Sequence, residues 1–234
     1  MIGLGEGDKI KKILFSSMIA ALSMTSQAAS AEEAVFTGPY VGIQAGAGRA
    51  ESVHNDLDYW YYDFKNYKTA KTDVIAGVKA GYDMQAGAAL IGVLGEVSFG
   101  KIDTLTEVTP ADPSYAISSK TKVLGSLRAK LGVVSGNLAV FATGGWAFSD
   151  TTHSFGDTDG SNEGYSAKGG RSGSVFGLGT AYAISPRTKL GLDLSRYQFG
   201  TRTHEVIDAG VGTDYFFTQK DRLDTAVVSY TMSF

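Results

Sequence analysis

His54, His153 and His204 are the only histidines in the 234-residue chain, and the apolar patterning puts each in a different long connection. Imidazole and phenol groups are ligands for heme iron. The first of those connections also carries Tyr59-Trp60-Tyr61-Tyr62-Asp63-Phe64, a run able to stack on a flat apolar ligand or a partner surface. The chemistry within reach is hemin capture or adhesion to host surface molecules. Paired His-x-x-His spacing, which would favour a bound metal, is absent. No Ser, His and Asp fall in a spacing that carries a mechanism. The expected protein is therefore not an enzyme and has no obligatory cofactor, heme being the single candidate.

Eight segments alternate between apolar and small or polar residues: 40–50, 72–84, 89–100, 121–133, 138–149, 174–184, 189–199 and 221–234. A period of 2 sets one face of a strand against the other. In the last segment Val228, Tyr230, Met232 and Phe234 share one face, with Ser229, Thr231 and Ser233 on the other. Short connections (85–88, 135–137, 185–188) alternate with long ones (51–71, 101–120, 150–173, 200–220). Segments of about ten residues joined short, long, short, long are the signature of a membrane barrel with short periplasmic turns and long external loops. A soluble meander would use tight hairpins throughout.

The two faces tell which side is wet. The polar face is rich in Gly and Ser with sparse charge of both signs, which suits a crowded interior rather than a solvated surface. Tyr82, Phe99, Trp146, Phe148, Tyr182 and Phe234 fall near strand ends on the apolar face, where interfacial girdles sit. The expected fold is all-β: an eight-stranded antiparallel up-and-down transmembrane barrel, apolar outside. About eight strands leave a lumen just wide enough for side chains, so a diffusion pore is disfavoured. On the inward face, pairing across the turn near Gly87 brings Lys79 beside Glu96, and the next segment adds Arg128 and Lys130. Charges at membrane depth need partners. The expectation is an interior network with Glu96 between Lys79 and Arg128, and Asp193 as a second acceptor across the lumen.

The N-terminus adds an address. Lys9, Lys11 and Lys12 precede an apolar stretch over 13–24 and a small-x-small site, Ala29-Ser30-Ala31. This reads as a cleaved secretory signal peptide over 1–31, too short to span a bilayer, with a barrel domain over 32–234. With no Cys in the chain, disulfides and bacterial-type lipidation are excluded. The net charge is −3, and −4 for 32–234, which is no footprint for nucleic acid. Outside the signal segment no stretch is long and apolar enough for a membrane helix, so a spanning structure must be a closed barrel. All four prolines (39, 110, 113, 186) lie between or at the start of the strands.

Several stretches resemble the eight-stranded outer-membrane β-barrel family related to the OmpA membrane domain. They are Gly38-Pro39-Tyr40-Val41-Gly42, Ala76-Gly77-Val78-Lys79-Ala80-Gly81-Tyr82-Asp83, Gly125-Ser126-Leu127-Arg128-Ala129-Lys130-Leu131-Gly132 and Ala142-Thr143-Gly144-Gly145-Trp146-Ala147. Val175-Phe176-Gly177-Leu178-Gly179 and Leu190-Gly191-Leu192-Asp193-Leu194 continue the likeness, which covers nearly all of 32–234. The chain carries Met232 where the family more often has Tyr. The resemblance implies a cell outer-membrane location, with lipid and the barrel-insertion machinery as partners. It also implies that Tyr230, Met232 and Phe234 form the assembly signal. No peptidoglycan-binding domain follows the barrel in this reading. Family members include structural proteins, hemin-binding proteins and adhesins, so the expected function is a structural barrel with surface-exposed loops, and the alternative a hemin-binding or adhesive surface protein.

Overall fold

In the computed structural model residues 35–56, 67–107, 115–157, 164–207 and 214–234 are described. They form nine strands: β1 (Gly38–Asp56), β2 (Tyr67–Ala86), β3 (Ala89–Glu107), β4 (Tyr115–Ser135), β5 (Leu138–Asp157), β6 (Gly164–Ala183), β7 (Thr188–Phe199), β8 (Arg202–Ile207) and β9 (Asp214–Ser233). All pairings are antiparallel, and β1 pairs with β9, so the sheet closes on itself. β7 and β8 both pair with β9 and are two halves of one stave. The fold is a closed eight-stranded antiparallel β-barrel.

The pairings fix its size. Lys189 lies opposite Thr231, then in turn Gly42, Lys79, Glu96, Ser126, Ala147, Gly173 and finally Phe199. One lateral circuit thus returns to the same stave at 199 instead of 189, a stagger of about ten residues. With strand spacings of about 3.3 Å along and 4.8 Å across, eight strands at that stagger tilt by roughly 40°.

Side chains obey the pleat. Val41, Ile43, Val78, Tyr82, Ile91, Val93, Leu127, Leu131, Trp146, Phe176, Leu192 and Met232 are exposed on the outer wall. Each residue climbs about 2.5 Å at this tilt, so the outward run from Leu138 to Phe148 spans about 25 Å, the height of a membrane barrel's apolar band. The short turns use left-handed glycines, Gly87 (φ 59°) and Gly136 (φ 55°), where a side chain would be strained.

The structure departs from the periodicity in three places. The long connections 51–71, 101–120, 150–173 and 200–220 are largely strand, because the hairpins keep pairing beyond the apolar band. Above the band neither face meets lipid, so alternation fades while backbone pairing does not. His54, His153 and His204 consequently lie on β1, β5 and β8 rather than in irregular loops. Third, the seventh stave is interrupted: Gln198 pairs with Arg222 but Arg202 with Gln219, so the stave holds one extra residue. Among the described residues β6 pairs with β7 only down to Gly173, and no ladder joins β6 to β8. Two guanidinium groups bridge that seam. Arg171 Nη2 donates to the Gly200 carbonyl and Arg202 Nη2 to the Gly170 carbonyl, both at 2.7 Å.

Candidate functional site: the filled lumen and its rim

Lys79 and Asp83 on β2, Glu96 on β3, Arg128 and Lys130 on β4 and Asp193 on β7 are buried inside, and the staggered pairing gathers them at mid-height. Lys79 Nζ bonds Asp193 Oδ2 at 2.7 Å across the lumen, and Lys130 Nζ bonds Asp83 Oδ2 at 2.9 Å. Arg128 pairs with Glu96; the two side chains are 1% and 3% exposed. Glu96 is the hub. It also accepts from the Tyr197 hydroxyl, from Ser126 Oγ at 3.2 Å and from Gln44 Nε2 at 3.4 Å. Arg128 Nη1 donates to Ser195 Oγ at 2.8 Å, and Lys130 also donates to the Tyr40 hydroxyl at 3.0 Å. The Lys130 ammonium stands 4.8 Å from the ring centres of both Tyr40 and Phe141.

All five inward charges named from the sequence lie in this cluster: Arg128 pairs with Glu96 and Asp193 accepts across the lumen as expected, but Lys79 pairs with Asp193 rather than Glu96, and Lys130 with Asp83. Lys79 and Glu96 are register neighbours, yet the Lys79 ammonium turns to Asp193 and leaves Glu96 to Arg128. The guanidinium, with five donors, suits the carboxylate that already collects three neutral donors. Asp83 completes the set. Its alternation with Lys79 and Gly81 on the polar face of 72–84 was the signal for it.

Apolar layers close the lumen above and below. Towards the short turns, Phe36, Leu90, Val134, Ala139, Phe141 and Ala183 form one cluster. Phe36 is 1% exposed and its amide donates to Gln85 Oε1 at 3.1 Å, so residues just before β1 fold under the barrel mouth. Towards the hairpins, Ile75, Ile102, Leu124, Val175, Tyr197, Phe199, Leu223 and Val227 form the other. The sequence pattern indicated a lumen of glycine, serine and charge; the inward apolar residues were hidden because they occupy the polar register near each strand's ends. Glycines opposite bulky rings make room: Tyr40 lies over Gly81 and Phe141 over Gly179, where a Cβ would collide with the ring. The cavity beside Lys79, Asp83 and Asp193 has about 30 Å³ and that near Ser52 and Asp221 about 20 Å³, each of water size.

At the hairpin end, His54 stands opposite Gln219 and His204 opposite Phe217, two positions apart on the strand between them. His153 is on β5, opposite Ser119. The run 59–64 and the segment 1–31 lie outside the described residues. Among the described residues no group of three His, Cys, Asp or Glu could hold a metal ion. On the last strand Tyr230, Met232 and Phe234 face outward, and the Phe234 amide donates to the Pro39 carbonyl at 3.1 Å.

The profile of the outer membrane protein beta-barrel domain matches residues 17–230. The chain belongs to that family. A member of it resides in the cell outer membrane, and the closed barrel with its outward apolar band agrees. Among solved structures, OprG from Pseudomonas aeruginosa is 12% identical, with 85% of this chain and 96% of that one covered and a TM-score of 0.52, which shows the shared fold. Ail, the attachment invasion locus protein of Yersinia pestis, is 14% identical over 85% and 99% of the chains (TM-score 0.38). The outer membrane protease OmpT from Escherichia coli is 7% identical over 91% and 99% (TM-score 0.47). No curated protein sequence matches.

Proposed function

We propose that this outer-membrane barrel is a non-catalytic structural protein whose filled lumen passes no solute and whose hairpins stand outside the cell. The observation that carries the reading is the lumen itself: a buried, mutually paired charge layer between two apolar layers. Such packing serves rigidity rather than transport. The experiment is complementation of a strain lacking the protein. A variant without residues 57–66, 108–114, 158–163 and 208–213 should restore resistance of the envelope to detergent as the whole chain does. Failure of that variant, folded and at normal level, would place the function in the deleted segments.

A second reading has one observation in its favour. His54 and His204 flank β9 at neighbouring register positions, an arrangement from which two imidazoles could serve one hemin at the rim. Saturable hemin binding with a Soret band altered in His54→Ala and His204→Ala supports it. No saturable Soret shift removes hemin as a ligand.

A further inference from the structure

The outer wall is not evenly apolar. On β5 the apolar run reaches Phe148, but on β7 it stops at Leu194 and Arg196 follows. Trp146 lies opposite Ser174 and Ser174 opposite Gln198. Two lateral steps at this tilt climb about 6 Å, and Arg196 is about 5 Å below Gln198. Arg196 therefore stands level with the upper aromatic girdle, on the lipid side.

A ladder of charges climbs from it. Arg196 makes two bonds to Asp224, at 2.6 and 3.1 Å. Arg222 reaches Asp224 at 3.6 Å and Glu51 at 3.0 Å, and Lys68 reaches Glu51 at 3.0 Å. Arg49 is exposed, lies opposite Asp224 in register and makes no ion pair among the described residues; Lys220, also exposed, is one outward position above Arg222. Glu51 is the covered acid at 12%, Asp224 is half-exposed at 34%, and the cations reach outward, Lys68 at 61%, Arg196 at 52% and Arg222 at 40%. Five cations over two acids leave a positive face where the apolar band meets the headgroup layer. Below it the wall is made of small side chains, Ala45, Ala47 and Ala226. One stave from Arg196, Gly145, Trp146, Ser172, Gly173 and Ser174 line an open groove of about 600 Å³.

We propose that this face of β7, β9 and β1 binds a phosphorylated glycolipid of the outer leaflet. Its phosphates sit on Arg49, Arg196 and Arg222, and its acyl chains run down over the alanines. An ionisable side chain facing lipid persists where a partner offsets its cost. Guanidinium forks match phosphate oxygens, and cations at headgroup depth attract anionic lipid. The two acids space the cations, Asp224 standing between Arg196 and Arg49 and Glu51 between Arg222 and Lys68, and two acids against five cations leave the face positive.

The test uses the full chain, extracted in detergent and stripped of lipid. Binding of bis-phosphorylated lipid A is followed by native mass spectrometry, beside its phosphate-free form and 10 mM inorganic phosphate. Wild type should bind lipid A saturably, at least tenfold more weakly without the phosphates, and undisturbed by inorganic phosphate. R49Q/R196Q/R222Q should lose at least tenfold while keeping heat-modifiable mobility. If that variant fails to fold, R222Q alone should lose at least threefold. Equal binding of the phosphate-free lipid, equal binding by the folded variant, or displacement by inorganic phosphate would overturn the proposal. So would loss of a dimer with lipid binding untouched, which would give the face to a second copy.

Discussion

Glu96 concentrates the energetics of the lumen. It collects Arg128 together with the Tyr197, Ser126 and Gln44 donors in a region excluded from water. Removing one partner of a buried pair leaves an uncompensated charge, which costs more than the pair contributes. Glu96→Ala should destabilise the barrel by about 3–5 kcal/mol, read as an earlier transition from folded to unfolded mobility on heating. Glu96→Ala with Arg128→Met should recover part of that loss, since both charges are then gone. Equal destabilisation in the single and double variants would show that Arg128 does not depend on Glu96. The inward charges were legible from alternation alone, since a period of 2 assigns each residue to a face. The Glu96–Arg128 pair was legible too, but the choice Lys79 makes was not: it is opposite Glu96 in register, yet its long flexible side chain crosses the lumen to Asp193, which the stagger of the circuit brings within reach.

At the scale of elements, all eight staves were legible where they meet lipid, and their ends were not. The residues of β1 past Ala50 and of β9 before Asp221 pair as regularly as the rest, but carry no apolar stripe, so nothing in the sequence distinguishes them from loop. The break at Gly200 was equally silent, since one extra residue changes pairing without changing composition. It has a measurable consequence. Amides of Gly164–Gly170 that point to the seam should exchange hydrogen faster than those of the same segment that pair with β5, because two guanidiniums replace the ladder there. Equal protection on both sides would mean that β6 and β8 are paired. The closing strand offers another test. Tyr230, Met232 and Phe234 face outward beside β1, and the family resemblance implies that this end is read during insertion. Phe234→Ala should lower the folded, heat-modifiable protein in outer-membrane fractions by several-fold; unchanged levels would leave that end without a signalling role.

For the whole molecule, an apolar wall outside and a paired polar layer inside is the inverse of a soluble barrel, and every stave contributes to both. The orientation follows from the asymmetry of the connections, with the three short turns facing the periplasm. A peptide tag inserted at Gly160 should be labelled on intact cells and one at Gly136 should not; labelling at Gly136 would reverse the barrel. The proposed closure of the lumen rests on the Phe36 cluster below, the ion pairs at mid-height and the Ile75–Leu124–Phe199 cluster above. The two water-sized cavities, about 30 and 20 Å³, have no lining residue in common. The decisive measurement is the current through planar bilayers containing the purified wild-type barrel. A closed lumen predicts membranes no more conductive than protein-free ones, and a large, steady single-channel conductance would contradict it.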